Sequence, residues 1–69
     1  MFVARDDNGC LYLHTFKPES NHLTGEWSNP GYKTMLRADL FPKLKFNNQP
    51  IEVEIVEKKK KNSLCYRKI

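Results

Sequence analysis

The chain has 69 residues, room for one small domain, and at this size folding buries only about 60% of the unfolded surface. Its apolar content of 39%, with 12% aromatic residues, suits a folded domain with a small core. No apolar run approaches the ~20 residues that span a bilayer, "MFVARD" lacks a signal-peptide pattern, and two cysteines are too few for a secreted disulfide framework. These features exclude a membrane-spanning or disulfide-scaffold class and lead to the expectation of a reduced, cytoplasmic protein.

Period-two patterns dominate from the start. "FVAR" and "CLYLHTF" flank "DDNG", where Asn8-Gly9 supplies the positive φ angles of a tight hairpin turn. A two-residue loop places Phe2, Ala4, Leu11 and Leu13 on one face and Val3, Arg5, Tyr12 and His14 on the other. A three-residue loop with a bulge shifts one strand against the other. The two-residue loop is preferred because it gathers the aliphatic side chains. "KPESNHLTG" then reads as a surface loop.

"EWSNPGYKTML" is predicted to form a second hairpin, with Pro30 and Gly31 at the centre of a type II turn and Trp27 near Tyr32 across it. In "ADLFPKLKF", Asp39 is placed to cap one short helical turn near residues 39–42, which Pro42 keeps short. Leu40, Phe41, Leu44 and Phe46 are expected to plug one end of the core. After Pro50, "IEVEIVE" is the clearest strand, with Ile51, Val53 and Ile55 inward and Glu52, Glu54 and Glu57 outward. "SLCYRKI" either pairs back onto it or frays.

The charge is uneven. Residues 1–36 hold three basic and four acidic side chains, whereas residues 37–69 hold nine basic and four acidic. Lys58–Lys61 are either the solvated tip of a hairpin, discouraging edge-to-edge pairing, or a phosphate-binding finger. In the second case Lys58, Lys59, Lys60, Lys61, Arg67 and Lys68 supply charge and Tyr66 stacks on a base.

Enzymatic constellations are absent from the pattern. Cys10 and His14 stand about 13 Å apart along one strand at ~3.3 Å per residue, too far to share a tetrahedral zinc. Asp6 and Asp7 read as turn residues, and neither a glycine-rich phosphate loop nor a nucleophile elbow is found. The expectation is a non-enzyme without metal, cofactor, small-molecule substrate or membrane partner.

"VARDDNGCLYLHTFKP", "GEW", "DLFPKLKF" and "QPIEVEI" together resemble short uncharacterised proteins of Bacteroidales bacteria and their phages or mobile elements. The resemblance covers residues 2–56 and stops before "KKKKNSLCYRKI". It implies an intracellular origin and carries over no activity and no catalytic residue.

The resulting expectation is one all-β domain over residues 1–69, of five or six antiparallel strands in a small SH3-like or OB-like barrel. Its expected role is a binding or adaptor module engaging a protein partner or a second copy of itself through Trp27, Tyr32 and an edge strand. The alternative is a small β-barrel that binds nucleic acid through its basic C-terminal region.

Overall fold

A computed structural model describes residues 1–58 and 63–69. Among these the chain is all-β, with strands β1 (Phe2–Arg5), β2 (Leu11–His14), β3 (Glu19–Asn21), β4 (Glu26–Ser28), β5 (Lys33–Leu36), β6 (Ile51–Lys58) and β7 (Ser63–Lys68). Five of them form an antiparallel sheet in the order β5-β2-β1-β6-β7, and β3 pairs with β4 in a separate hairpin. The described sheet is open rather than closed into a barrel. No helix among the described residues is long and apolar enough to cross a membrane.

The first turn sets which side chains face inward. The Asp6 N–H donates to Cys10 O at 2.8 Å and the Gly9 N–H to Asp6 O at 3.0 Å, leaving a loop over residues 7–9. Gly9 has φ 93°, the left-handed residue that completes a three-residue hairpin loop. The preferred two-residue loop is therefore corrected. The observed register pairs Val3 with Leu13 and Arg5 with Leu11, so Val3, Arg5, Leu11 and Leu13 share the core face. Phe2, Ala4, Tyr12 and His14 share the other.

On the core face, Val3, Leu11, Leu44 and Val53 form the buried cluster, flanked by Leu13, Leu36, Leu40, Phe41, Ile51 and Tyr66. The connection over residues 37–50 covers this face, as expected of its apolar side chains. No helical turn forms there. Three successive turns replace it, closed by Leu40 N–H to Arg37 O, Leu44 N–H to Phe41 O and Asn48 N–H to Lys45 O. Pro42 lacks the N–H that a continuing helix needs, and Asp39 pairs with Arg37 instead of capping.

Arg5 fastens that connection to the sheet. Its Nε donates to Leu44 O at 2.7 Å, Nη1 to Gly9 O at 2.7 Å, and Nη2 to Leu40 O at 2.9 Å and Phe41 O at 3.3 Å. Phe41 has φ 50°, a left-handed conformation that costs an L-residue about 1–2 kcal/mol. The guanidinium that gathers the Leu40 and Phe41 carbonyls helps hold it there.

The stretch read as a surface loop contains β3, and the expected hairpin between Trp27 and Tyr32 is not formed. β4 pairs back with β3, while β5 crosses to pair with β2. Gly31 does not take the positive φ of a type II turn. β4 runs along the second face, tied at one end by Asp7 N–H to Gly25 O at 2.8 Å and Trp27 N–H to Asp6 Oδ1 at 3.0 Å. At its other end Asn29 bonds to His14. Ala4 and His14 are closed off from solvent on this face.

Two substitutions test this frame. Arg5→Met leaves four carbonyls without their charged donor and is expected to lower stability by about 2–4 kcal/mol in urea unfolding. Gly25→Ala introduces a Cβ at φ 76° and 2.8 Å from the Asp7 Cβ, and is expected to cost about 1–3 kcal/mol by the same measurement.

Candidate nucleic-acid interface

β6 is held by the sheet only near its start, through Phe2↔Glu52 and Val3↔Ile51, with Val53 N–H donating to Met1 O at 2.8 Å. Beyond Val53, the five pairs from Glu54↔Arg67 to Lys58↔Ser63 join β6 and β7 alone. At ~3.3 Å per residue this two-stranded ribbon reaches about 17 Å past the sheet. The molecule is accordingly long, 42 Å against 23 and 18 Å across. Strands of opposite direction need only a short connection, and of the two alternatives for "SLCYRKI", pairing back onto "IEVEIVE" is the one found. Lys59, Lys60 and Lys61 lie outside the described residues, and Lys58 is the last residue of β6.

The ribbon has two faces. Val53 stands opposite Lys68 and Ile55 opposite Tyr66 on the core side, and Glu54 stands opposite Arg67 on the other. Arg67 makes an exposed ion pair with Glu54, which engages both charges. Lys68 is exposed, and Tyr66 is half-buried with its body packed on the core cluster. The structure thus places Tyr66 and Lys68 together and Arg67 on the reverse. Ile55, expected to point into the core, is 38% exposed because the ribbon has left the sheet by that residue.

The same end of the sheet carries a second exposed group. Thr15 N–H donates to Tyr32 O at 3.1 Å, and Tyr32 N–H to Thr15 Oγ1 at 3.0 Å, so β2 and β5 stay linked past His14 and Lys33. Tyr32 is 83% exposed and Phe16 59% exposed. Trp27, expected near Tyr32 across a turn and named with it for partner binding, is 6% exposed. Its Nε1–H donates to Phe46 O at 3.1 Å, and its ring meets the Phe46 ring edge-on at 6.2 Å. A buried Trp needs such a polar partner for its N–H. The strand pattern did not single out Phe16; its place just before "KP", where regular pairing must stop, was the available signal.

His14 is fully buried. Asn29 Oδ1 accepts from the Gly31 N–H at 2.7 Å, which turns Asn29 Nδ2 toward His14 Nδ1 at 2.6 Å. Nδ1 is then the acceptor and the ring proton sits on Nε2, which has no hydrogen-bond partner. Burial lowers the His14 pKa, the charge of Lys33 lowers it further, and Asp6 opposes them. Lys33 itself lies over the Tyr12 ring at 4.5 Å.

Chemistry elsewhere is sparse. An open cleft of about 280 Å³ is lined by Asp6, Asp7, Tyr12, Thr24, Glu26 and Lys33 among others. Asp6 there serves the Trp27 N–H on β4, 21 residues away, where a turn residue's carboxylate would bond a nearby backbone group. Cys10 is a free thiol. Among the described residues no group of three or more His, Cys, Asp or Glu side chains is placed to hold a metal ion.

The buried neutral His14 has a consequence for pH. The unfolded chain takes up a proton below about pH 6.5 while the folded state resists it, so this contribution to stability is complete above that pH and declines as pH falls. Thermal unfolding is expected to show a lower midpoint at pH 5 than at pH 7.5, and His14→Gln is expected to flatten that dependence.

No family model matches the chain, and neither a curated protein nor a solved structure matches it.

Proposed function

We propose that the chain is a non-enzymatic binding module whose working element is the β6–β7 ribbon and whose partner is a nucleic acid. The observation that carries this is the ribbon's projection beyond the sheet in the segment where basic residues concentrate. Residues 51–69 hold six basic and three acidic side chains, and one of those acids, Glu54, is paired with Arg67. A projecting two-stranded element can be approached by a phosphate backbone without the sheet in the way. Lys68 and Arg67 stand at its foot, and the sequence between Lys58 and Ser63 is Lys59-Lys60-Lys61-Asn62. Each lysine that meets a phosphate releases a condensed counterion, which is the main source of affinity in such binding.

A protein partner or second copy is the second reading. It draws on the outer edge of β5, where Met35 and Tyr32 are exposed, and it lacks Trp27, which is occupied in packing. Salt separates the two readings, since apolar pairing does not weaken steeply with ionic strength.

Fluorescence anisotropy with a labelled oligonucleotide, at about 50 and 200 mM salt, is the test. Binding is expected to weaken steeply over that range. Replacing Lys58–Lys61 with serine is expected to lower affinity and to reduce the salt slope by roughly 0.7–0.9 for each phosphate that is no longer neutralised. Equal binding by parent and variant at low salt overturns the ribbon as the binding element.

A further inference from the structure

Two exposed aromatic rings, at the end of the sheet from which the ribbon emerges but on its opposite edge, are not explained by folding. Phe16 and Tyr32 follow the last regular pair of β2 and precede the first of β5, at the end of the sheet from which the ribbon emerges. Gly31, which precedes Tyr32, packs against Thr15 and Phe16. A Cβ at that position would come within 2.7 Å of the Phe16 ring, so the absence of a side chain lets the ring lie against the backbone. Tyr32 is fixed by two hydrogen bonds to Thr15 while its ring remains in water. Lys17 and Lys33, both exposed, flank the pair in sequence.

The register connects these rings to the ribbon. Thr15 bonds to Tyr32, Met1 continues β1 beside Val53, and Val53 stands opposite Lys68. Extending the β1–β2 register by one pair sets Met1 beside Thr15. One row therefore crosses the sheet from Tyr32 to Lys68, four strand spacings or about 19 Å. Tyr32 stands at one end of this row, next to Phe16 beyond Thr15, and Lys68 at the other.

We infer that Phe16 and Tyr32 are a base-stacking platform, and that the polymer bound is single-stranded nucleic acid. This rests on the ribbon as the nucleic-acid element. Paired bases in a duplex keep their faces stacked on one another, whereas unpaired bases offer theirs to aromatic side chains. A ribbon alone is also compatible with the major groove of a duplex, so the rings are what select the single strand. Lys17, exposed next to Phe16, and Lys68, exposed across the sheet, favour a polyanion over the apolar surface of a protein.

Anisotropy with a fluorescein-labelled oligothymidylate and with a hairpin duplex of equal nucleotide number tests this, using the parent, Phe16→Ala, Tyr32→Ala, Tyr32→Phe and the Lys58–Lys61 serine variant. Amide correlation spectra establish that each is folded. Tighter binding of the single strand by the parent is expected. Each alanine variant is expected to weaken it by roughly 5- to 100-fold with the salt slope unchanged, and Tyr32→Phe to retain it. Alanine variants that bind like the parent, or a parent that prefers the duplex, overturn the platform while leaving the ribbon in place. Absence of binding to either probe overturns both. A dimer in sedimentation that Tyr32→Ala dissolves, without nucleic-acid binding, assigns the rings to protein contact instead.

Discussion

The register of the first hairpin governs the rest of the molecule. With a three-residue loop, Arg5 falls on the same face as Val3, Leu11 and Leu13. A charged side chain there would be costly without partners. The connection over residues 37–50 resolves this by presenting the carbonyls of Leu40, Phe41 and Leu44 to its guanidinium. The planar fork of arginine addresses several acceptors at fixed angles, which the point charge of a lysine does not. One side chain thus fixes the path of the longest connection between strands, and that path brings Leu44 into the core and Phe46 to Trp27.

The second face is closed by polar contacts as much as by apolar ones. Asp6 holds the Trp27 N–H, Asp7 holds Gly25, and Asn29 holds His14. Each ties the β3–β4 hairpin to the sheet by a hydrogen bond at one of its ends. The cost is an imidazole whose Nε2 proton has no acceptor, and an unsatisfied buried donor costs about 1–3 kcal/mol. Protonating His14 would put a second donor where Asn29 already donates, so acid acts against this contact.

These anchors leave one part of the fold free of them. β6 and β7 continue past the sheet with only each other for company, so Ile55 is open to solvent although Val53, two residues earlier on the same face, is buried. The apolar–acidic alternation of "IEVEIVE" makes the strand, and the cross-strand pair of Glu54 with Arg67 ties its two charges to each other without changing the local net charge. The rings of Phe16 and Tyr32 share that end of the molecule because β2 and β5 run antiparallel to their neighbours and terminate where the ribbon begins. Shape, charge and aromatic exposure therefore converge at one end of an elongated domain.

The sequence by itself determined the all-β class, the position of the Asn-Gly turn and the apolar plug at Leu40, Phe41 and Leu44, because alternation and turn chemistry are local properties; pairing or fraying of the last strand stayed open until the structure paired it with β6. It determined the placement of basic charge in the second half for the same reason. What it did not determine was register, since one residue more in a loop inverts every face with no change in composition. Tertiary structure alone decided that Arg5 and His14 are drawn inward, that Trp27 is consumed by packing on Phe46, and that β4 and β5 part company instead of forming a hairpin. Those outcomes depend on hydrogen-bond partners far apart in sequence, such as Arg5 with Leu44 and Asp6 with Trp27. No local pattern in the residues between them records where those partners will meet.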